Sequence, residues 1–109
     1  MRGEQHLTKP EQYSLVYDTG SSVADRFLVF KAVANGLEIS RFGISVSKRV
    51  GNAVVRNRVK RLLREILRLT DFQAGWDFIV IARNPAAESD YHQLEKSAQT
   101  LLGRLKIAE

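Results

Sequence analysis

Cysteine is absent from this sequence of 109 residues, and histidine and proline occur only twice each. The lack of cysteine excludes disulfides, thiolate catalysis and cysteine-based zinc sites, and it fits a reducing cytosol. No apolar run approaches the roughly 18 residues of a membrane span, and no apolar stretch follows the first six residues as in a secretory signal. We therefore expect a single cytoplasmic domain over residues 1–109, with no membrane partner and no obligate protein partner.

Acidic residues are nearly missing from one segment, residues 48–69, which we call the basic segment. It holds eight of the 17 lysine and arginine residues and, in Glu65, only one of the 12 acids. Its net charge is therefore +7, whereas the rest of the chain carries −2. Charge concentrated in this way predicts a polyanionic partner, with nucleic acid favoured over an anionic membrane surface.

The basic segment has the pattern of an amphipathic helix that begins after the N-cap residue Asn52. One apolar stripe is formed by Val55, Val59, Leu62, Leu63 and Ile66. The opposite arc carries Arg56, Asn57, Lys60, Arg61, Arg64 and Arg68, with Arg58 at the border. A face kept only for solubility would mix in acids, and like charges four residues apart cost a helix a few tenths of a kcal/mol per pair. We interpret the arc as a phosphate-binding surface, to which the planar fork of arginine is suited.

The segments before the basic helix predict a short helix and a hairpin. A capping box of Thr8 and Glu11 predicts a helix to about residue 18, ended by Gly20. Residues 26–34 have the composition of a strand, Asn35-Gly36 is typical of a two-residue hairpin turn, and residues 37–47 would form the return strand.

After the basic helix, the apolar residues 76–83 predict a buried strand, and Ser89 or Asp90 would cap a last helix. The order helix, hairpin, helix, strand, helix indicates an α/β (α+β) fold: a small mixed sheet with helices mainly on one face.

Polar and aromatic residues beside the predicted sheet suggest a groove. Tyr13 and Tyr17, four residues apart on the first helix, could be core residues or stacking platforms for unpaired bases. Lys31 interrupts an apolar strand face, either as a snorkelling edge residue or as part of a groove. Ser45 and Ser47 lie on the small, polar face of the return strand.

No catalytic constellation is visible. His6 and His92 are far apart in the chain and are interpreted as surface residues, and Asp71 and Asp77 are not placed like a two-metal nuclease site. There is no phosphate-binding glycine loop before a lysine. The sequence therefore predicts a protein that binds but provides neither catalytic residues nor a metal site of its own.

The stretch from Arg41 to Glu65, with Arg56-Asn57-Arg58 at its centre, resembles the signature of the protein subunit of bacterial ribonuclease P. That ribonucleoprotein removes 5′ leaders from precursor tRNA. The likeness extends to the aromatic pair before Gly20, to residues 78–86 and to the final helix. It implies a sandwich like that of a ribosomal-protein domain, with a left-handed crossover through the basic helix.

The resemblance also implies how the work is divided. The RNA subunit would hold the catalytic Mg²⁺ ions and hydrolyse the phosphodiester, and the protein would grip the precursor tRNA leader. Contacts to RNA are expected from Lys48, Arg49, Asn52, Arg56, Asn57, Arg58, Lys60, Arg61, Arg64 and Arg68. The leader cleft would be lined by Tyr13, Tyr17, Lys31, Ser45 and Ser47.

Two positions depart from the family pattern. Lys31 stands where an aromatic cleft residue stands in a relative, so a phosphate contact could replace a stacking contact. Asn84 stands where lysine is common in the family, so a positive charge beside the leader is missing there.

Other interpretations remain open on sequence grounds. A general structured-RNA binder of the ribosomal type would use the same basic helix but would have no need of the tyrosine pair. A self-sufficient metal-dependent nuclease would cleave precursor tRNA without an RNA subunit. A helix-turn-helix DNA binder is disfavoured, because the basic helix lies between predicted strands.

Overall fold

The fold is taken from a computed structural model that describes residues 6–107, so residues 1–5 and 108–109 of the expected domain lie outside the described residues. Within that range there are three α-helices, four strands and one 3₁₀ helix. In chain order they are α1 (Pro10–Thr19), β1 (Ser21–Ala24), β2 (Leu28–Ala34), β3 (Arg41–Ser45), α2 (Ala53–Leu69), β4 (Trp76–Ala82), the 3₁₀ helix (Asn84–Glu88) and α3 (Tyr91–Arg104). None of the helices within residues 6–107 is both long and apolar enough to cross a membrane.

The four strands form one mixed sheet in the order β1-β2-β4-β3. β4 pairs antiparallel with β2 on one side and parallel with β3 on the other. The predicted hairpin is therefore wrong: β2 and β3 are neighbours in sequence but are separated by β4, and β1 was not predicted. The strand β3 is also shorter than expected, Arg41–Ser45 rather than residues 37–47. The mixed sheet and the passage from β3 to β4 through the basic helix are as predicted.

The loop after β2 explains why Asn35-Gly36 does not form a hairpin. Gly36 has the left-handed conformation that such a turn favours, with φ of 71°. The Asn35 amide nitrogen, however, donates to Asp77 Oδ1 at 2.8 Å, and the Asn35 backbone N–H donates to the Gly75 carbonyl at 2.8 Å. These bonds attach the loop to the beginning of β4, so the pairing edge of β2 is left for β4 itself.

The sheet has one closed face and one partly open face. On the closed face, Phe30, Phe42 and Phe78 pack under α2 and α3 in the main hydrophobic core. The opposite face is covered by α1 alone, through a small cluster of Leu7, Val16 and Ile79. Helices thus lie mainly on one face, as predicted, and α1 leaves part of the other face exposed.

The ends of the helices test the capping predictions. Asn52 caps α2, since its side-chain oxygen accepts from the Val55 N–H at 3.0 Å, and Asp90 caps α3 in the same way through Gln93 at 2.9 Å. The capping box of α1 was placed one residue too early. Lys9 is the N-cap residue, and the Gln12 side chain rather than Glu11 accepts the backbone N–H groups before the helix.

Candidate functional site

The basic helix α2 is anchored by its apolar side. Val59, Leu63, Ile66 and Leu67 are buried against the sheet and α3, and Val55 and Leu62 are half-buried beside them. Leu67 was not predicted, but it extends the same helical stripe. Because this side fixes the rotation of the helix, it also fixes which basic residues face solvent.

The centre of the solvent face of α2 is formed by Asn57, Arg61, Arg64 and Arg68, all of which are exposed. These residues span about 16 Å along the helix axis, at about 1.5 Å per residue. Arg56, Arg58 and Lys60 were predicted with them or beside them, but they are only half exposed at the flanks of this face. Arg58 lies at the border of the face as predicted, whereas Arg56 and Lys60, predicted on the arc itself, lie at its flanks as well.

The arginines of α2 also differ in their internal hydrogen bonds. Arg58 Nη2 donates to the carbonyl of the buried Ser89 at 2.6 Å, and Arg56 Nη1 donates to the Gly51 carbonyl at 2.8 Å. Arg68 forms an ion pair with Glu65 at 2.7 Å. Arg58 ties α2 to the segment before α3, so part of its role is structural.

A second set of cations has no such internal bond. Within residues 6–107 no hydrogen bond or ion pair is formed by the side chains of Lys48, Arg49, Lys60, Arg61 and Arg64. Their donors are free for an external acceptor. We call the exposed side of α2 together with Lys48 and Arg49 the basic surface.

The part of the open sheet face beside α1 carries the side chains predicted for the leader cleft, and we call it the tyrosine cleft. The Tyr13 ring lies directly on Gly43, where an added Cβ would come within 2.6 Å of the ring. The Tyr13 hydroxyl donates to the Leu7 carbonyl at 3.1 Å. Burial, followed by the nearby Tyr17, raises the pKa of Tyr13, so this hydroxyl remains a protonated donor. The Tyr13 ring is thus held in a fixed position at the wall of the cleft.

Tyr17 and Lys31 form the next part of the tyrosine cleft. Tyr17 is 40% exposed, and Lys31 Nζ lies 5.6 Å from the centroid of the Tyr17 ring, within cation–π range. In the sheet, Lys31 and Gly43 flank Ile79 in one row across β2, β4 and β3. Lys31 therefore does not lie at a sheet edge, because β2 pairs with β1 and β4, and its place in a leader cleft stays a prediction.

The serines connect the two surfaces. Ser45 ends β3 on the face of the tyrosine cleft, beside Ile81 of β4. Ser47 is exposed in the turn that follows, where its hydroxyl oxygen accepts the Arg49 N–H at 3.3 Å. The chain then passes Lys48 and Arg49 and enters α2 after Asn52. The cleft and the basic surface are thus joined by about seven residues of the backbone.

The structure also shows contributors that the sequence interpretation missed. Asp77, which is buried, accepts from Arg41 Nε at 2.9 Å and from Arg41 Nη2 at 2.6 Å, in addition to Asn35. This ion pair joins β3 to β4 on the face of the cleft. Gly43 was not singled out in the sequence, although a glycine inside a strand is a signal of close approach by another group.

Metal ligands and histidines do not converge in the described part of the chain. No group of three or more His, Asp or Glu side chains within residues 6–107 could hold a metal ion. His6 and His92 are both exposed, and His6 contacts the ring of Phe42. Asn84 is exposed at the start of the 3₁₀ helix. These residues therefore do not fit a metal site of the protein's own.

Comparison with known sequences points to one family. A sequence model of the family described as Ribonuclease P matches residues 1–106. The Ribonuclease P protein component of Caldanaerobacter subterraneus subsp. tengcongensis is 44% identical over 105 residues, covering 94% of this chain and 90% of that protein.

Solved structures give the same result. An RNase P protein from Staphylococcus aureus superposes with a TM-score of 0.88 and 35% identity, over 98% of this chain and 100% of the other. The RNase P protein from Thermotoga maritima gives a TM-score of 0.84 at 30% identity, over 93% and 97% of the two chains. Likeness in sequence and likeness in fold therefore extend over the same, nearly complete length.

Proposed function

This chain belongs to the ribonuclease P family, and we propose that it is the protein component of that ribonucleoprotein, which removes the 5′ leader of precursor tRNA. The observation that carries the proposal is the close connection of two surfaces with different chemistry. One presents free cations on a rigid helix, and the other presents fixed aromatic rings beside an open sheet. An RNA-binding protein that only neutralised phosphates would need the first surface alone.

The basic surface would bind the RNA subunit. Arg61 and Arg64 are exposed, have no internal partner in the described residues and project from a helix anchored in the core. The planar fork of a guanidinium can donate two parallel hydrogen bonds to phosphate oxygens. Asn57 lies about one turn before Arg61 on the same face and offers an amide to the RNA backbone or to a base edge. Arg56 and Arg58 would contribute charge from the flanks while their bonds to carbonyls orient the helix.

The tyrosine cleft would bind the single-stranded leader. An unpaired strand exposes base faces, which stack on aromatic rings irrespective of sequence. Tyr17 is exposed enough to offer such a face, and Tyr13 closes the wall beside it. The Lys31 ammonium, next to the Tyr17 ring, would attract a leader phosphate. Ser45 and Ser47 supply hydroxyls on the way to the basic surface.

Catalysis would remain with the RNA subunit, which would supply the Mg²⁺ sites. The described residues offer no cluster of metal ligands, so no step of the hydrolysis is assigned to a side chain of this protein. Its contribution would be affinity: it holds substrate and RNA subunit together, so that cleavage proceeds with less Mg²⁺. The protein would act in the cytoplasm, with precursor tRNA and the RNA subunit as its partners and with no obligate protein partner.

Reconstitution tests the proposal directly. Precursor tRNA is incubated with a bacterial ribonuclease P RNA, with this protein, or with both, at a Mg²⁺ concentration that barely supports the RNA alone. We expect mature 5′ ends to form rapidly only when both are present. Cleavage by protein and Mg²⁺ without RNA would instead establish a self-sufficient nuclease, and no stimulation at all would refute the proposal.

Substrate pairs distinguish the general structured-RNA binder. The holoenzyme is titrated with precursor tRNA and with the same tRNA lacking its leader. Tighter binding of the leader-bearing form, lost on substitution of Tyr17 by alanine, supports the tyrosine cleft as the leader site. Equal affinity for both substrates would favour the general binder.

A further inference from the structure

A pocket lies outside both surfaces, between α3 and the loop that joins β1 to β2. It has a volume of about 210 Å³ and is lined by Asp25, Phe27, Gln93, Lys96, Ser97 and Thr100. β1 is at the opposite edge of the sheet from β3, and α3 is the helix that contacts both β1 and β2. The pocket is therefore near the edge of the sheet opposite to β3 and to the turn that leads from β3 into the basic helix.

The pocket wall is fixed by the Asp25 carboxylate. Its Oδ1 atom accepts the backbone N–H groups of Phe27 and Leu28 at 2.9 and 3.0 Å, and its Oδ2 atom accepts the Ser97 hydroxyl at 2.5 Å. Burial acts to raise the pKa of Asp25, but these hydrogen bonds and the charge of Arg104 outweigh it and lower the pKa. The carboxylate thus ties the loop to α3, and both of its oxygens are occupied by the protein itself.

Four exposed cations surround this corner. The Arg26 guanidinium lies 5.4 Å from the centroid of the Phe27 ring, and Arg83 Nη1 donates to the Asp25 carbonyl at 2.7 Å. Lys96 lines the pocket, and Arg104 is near enough to affect Asp25. All four are exposed, and the one acid that lines the pocket is Asp25. This is a concentration of positive charge in a part of the chain that is otherwise net negative.

We propose that this pocket, together with the cations around it, binds one unpaired nucleotide of an RNA strand. The base would lie against the part of Phe27 that lines the pocket, with Gln93 and Thr100 at its edge and Arg26 on the Phe27 ring, and the neighbouring phosphates would contact Lys96 and Arg104. We call this the α3 nucleotide site. It would be a third contact between the protein and RNA, separate from the basic surface and the tyrosine cleft.

The volume and the lining residues of the pocket favour a single nucleotide as the ligand. A volume of 210 Å³ is below the range of about 300–1,000 Å³ usual for small-molecule sites, so the pocket has room for one ring system rather than a whole cofactor. A half-buried phenylalanine beside arginine and lysine is the combination by which proteins hold single-stranded RNA, with stacking on the ring and cations on the backbone. An inorganic anion would use the cations but not the ring.

The test uses adenosine 5′-monophosphate and inorganic phosphate as probes on the full-length protein. Amide resonances of Ser97 and Thr100 are followed by NMR during each titration, because they report this site and not the basic helix. We expect saturable shifts with the nucleotide and much weaker ones with phosphate at the same concentration. Phe27→Leu should weaken nucleotide binding about tenfold by loss of stacking, with little effect on the response to phosphate.

A second variant, Lys96→Gln, tests the site without changing the packing of Phe27. Lys96→Gln should weaken both probes about threefold, whereas Lys106→Gln, which removes an exposed lysine that does not line the pocket, should change neither. Equal shifts with phosphate and nucleotide would mean an adventitious ion only and would overturn the proposal. So would the absence of shifts at Ser97 and Thr100, or an unchanged affinity in Lys96→Gln. None of these outcomes depends on assembly with a ribonuclease P RNA.

Discussion

The basic surface and the tyrosine cleft are built by different physical means. The basic surface presents flexible cations on one helix, and its position needs only the buried stripe of α2. The cleft requires three separated parts of the chain, because Tyr13 on α1 must rest on Gly43 of β3 while Lys31 of β2 approaches Tyr17. The first surface would give affinity that depends on salt, and the second would give affinity that depends on an unpaired strand. Assembly and substrate recognition can therefore be perturbed separately.

The largest expected effect concerns salt and the basic surface. If about six phosphates are engaged, affinity for ribonuclease P RNA should fall about a thousandfold between about 50 and 200 mM salt. The double change Arg61→Gln and Arg64→Gln should make the slope of log affinity against log salt shallower by about two.

Filter binding at several salt concentrations measures this effect. The matched control is Lys9→Gln with Lys106→Gln, which removes two exposed charges outside both surfaces. An affinity that does not change with salt would contradict a phosphate-binding helix. An equal loss of slope in the control would show that Arg61 and Arg64 contact RNA no more than other exposed cations do.

The second effect concerns the stability of the sheet under the cleft. Asp77→Ala removes the acceptor of three hydrogen bonds and leaves Arg41, whose side chain is only 23% exposed, without its ion pair. We expect the free energy of unfolding to fall by about 3 kcal/mol, at the low end for a broken buried pair because Arg41 retains some contact with water.

Chemical denaturation of the purified protein measures this change. Glu38→Ala is the control, because Glu38 is an exposed acid in the loop between β2 and β3. A loss in Asp77→Ala no larger than that in the control would show that the ion pair does not stabilise the sheet.

The third effect concerns the wall of the cleft. Tyr13→Ala should weaken binding of leader-bearing precursor tRNA to the holoenzyme by about 1–3 kcal/mol, because a stacking ring is lost. Tyr13→Phe keeps the ring but removes the bond to Leu7, so it should retain most of the affinity. Substrate without a leader should bind both variants like the wild type, and equal weakening for the two substrates would rule out this role for Tyr13.

The smallest effect distinguishes two arginines of α2. Arg58→Gln should lower the free energy of unfolding by about 1–2 kcal/mol, because the carbonyl of the buried Ser89 loses a charged donor. Arg61→Gln should leave stability unchanged within about 0.5 kcal/mol and reduce RNA affinity instead. Thermal denaturation and RNA binding of the same two proteins give the comparison. If both variants lost stability equally, the division between structural and free arginines would be wrong.

Local features were predicted well because their causes are local. The cap at Asn52, the buried stripe of α2 and the cap at Asp90 depend on residues three or four positions apart. The error at Thr8 is also local, because the cap lies only one residue later, at Lys9 and Gln12. Both Glu11 and Gln12 have a side-chain oxygen that could accept a backbone N–H before the helix. The roles of Tyr13, Tyr17 and the basic residues toward RNA remain predictions, although the structure brings these residues to two connected surfaces.

The pairing of the strands could not be predicted from the local sequence pattern. Asn35-Gly36 has the turn conformation that a hairpin requires at glycine, yet the Asn35 side chain bonds to Asp77, which is 42 positions away. Apart from the buried Asp77, β4 is apolar on both faces, so it is suited to the centre of the sheet, where it pairs with β2 along all seven residues of each strand. No pattern within residues 26–47 shows that a later strand, β4, competes with β3 for pairing with β2.

The sequence by itself determined that this protein has an amphipathic helix with a net charge of +7 in its segment, and that an aromatic pair stands near the N-terminus. Charge and periodicity are properties of consecutive residues, and they do not depend on where the rest of the chain lies. Only the tertiary structure decided which arginines are free, which strand is central and that Tyr13 rests on Gly43. Those features arise from contacts between distant residues, where packing and buried hydrogen bonds outweigh local preference.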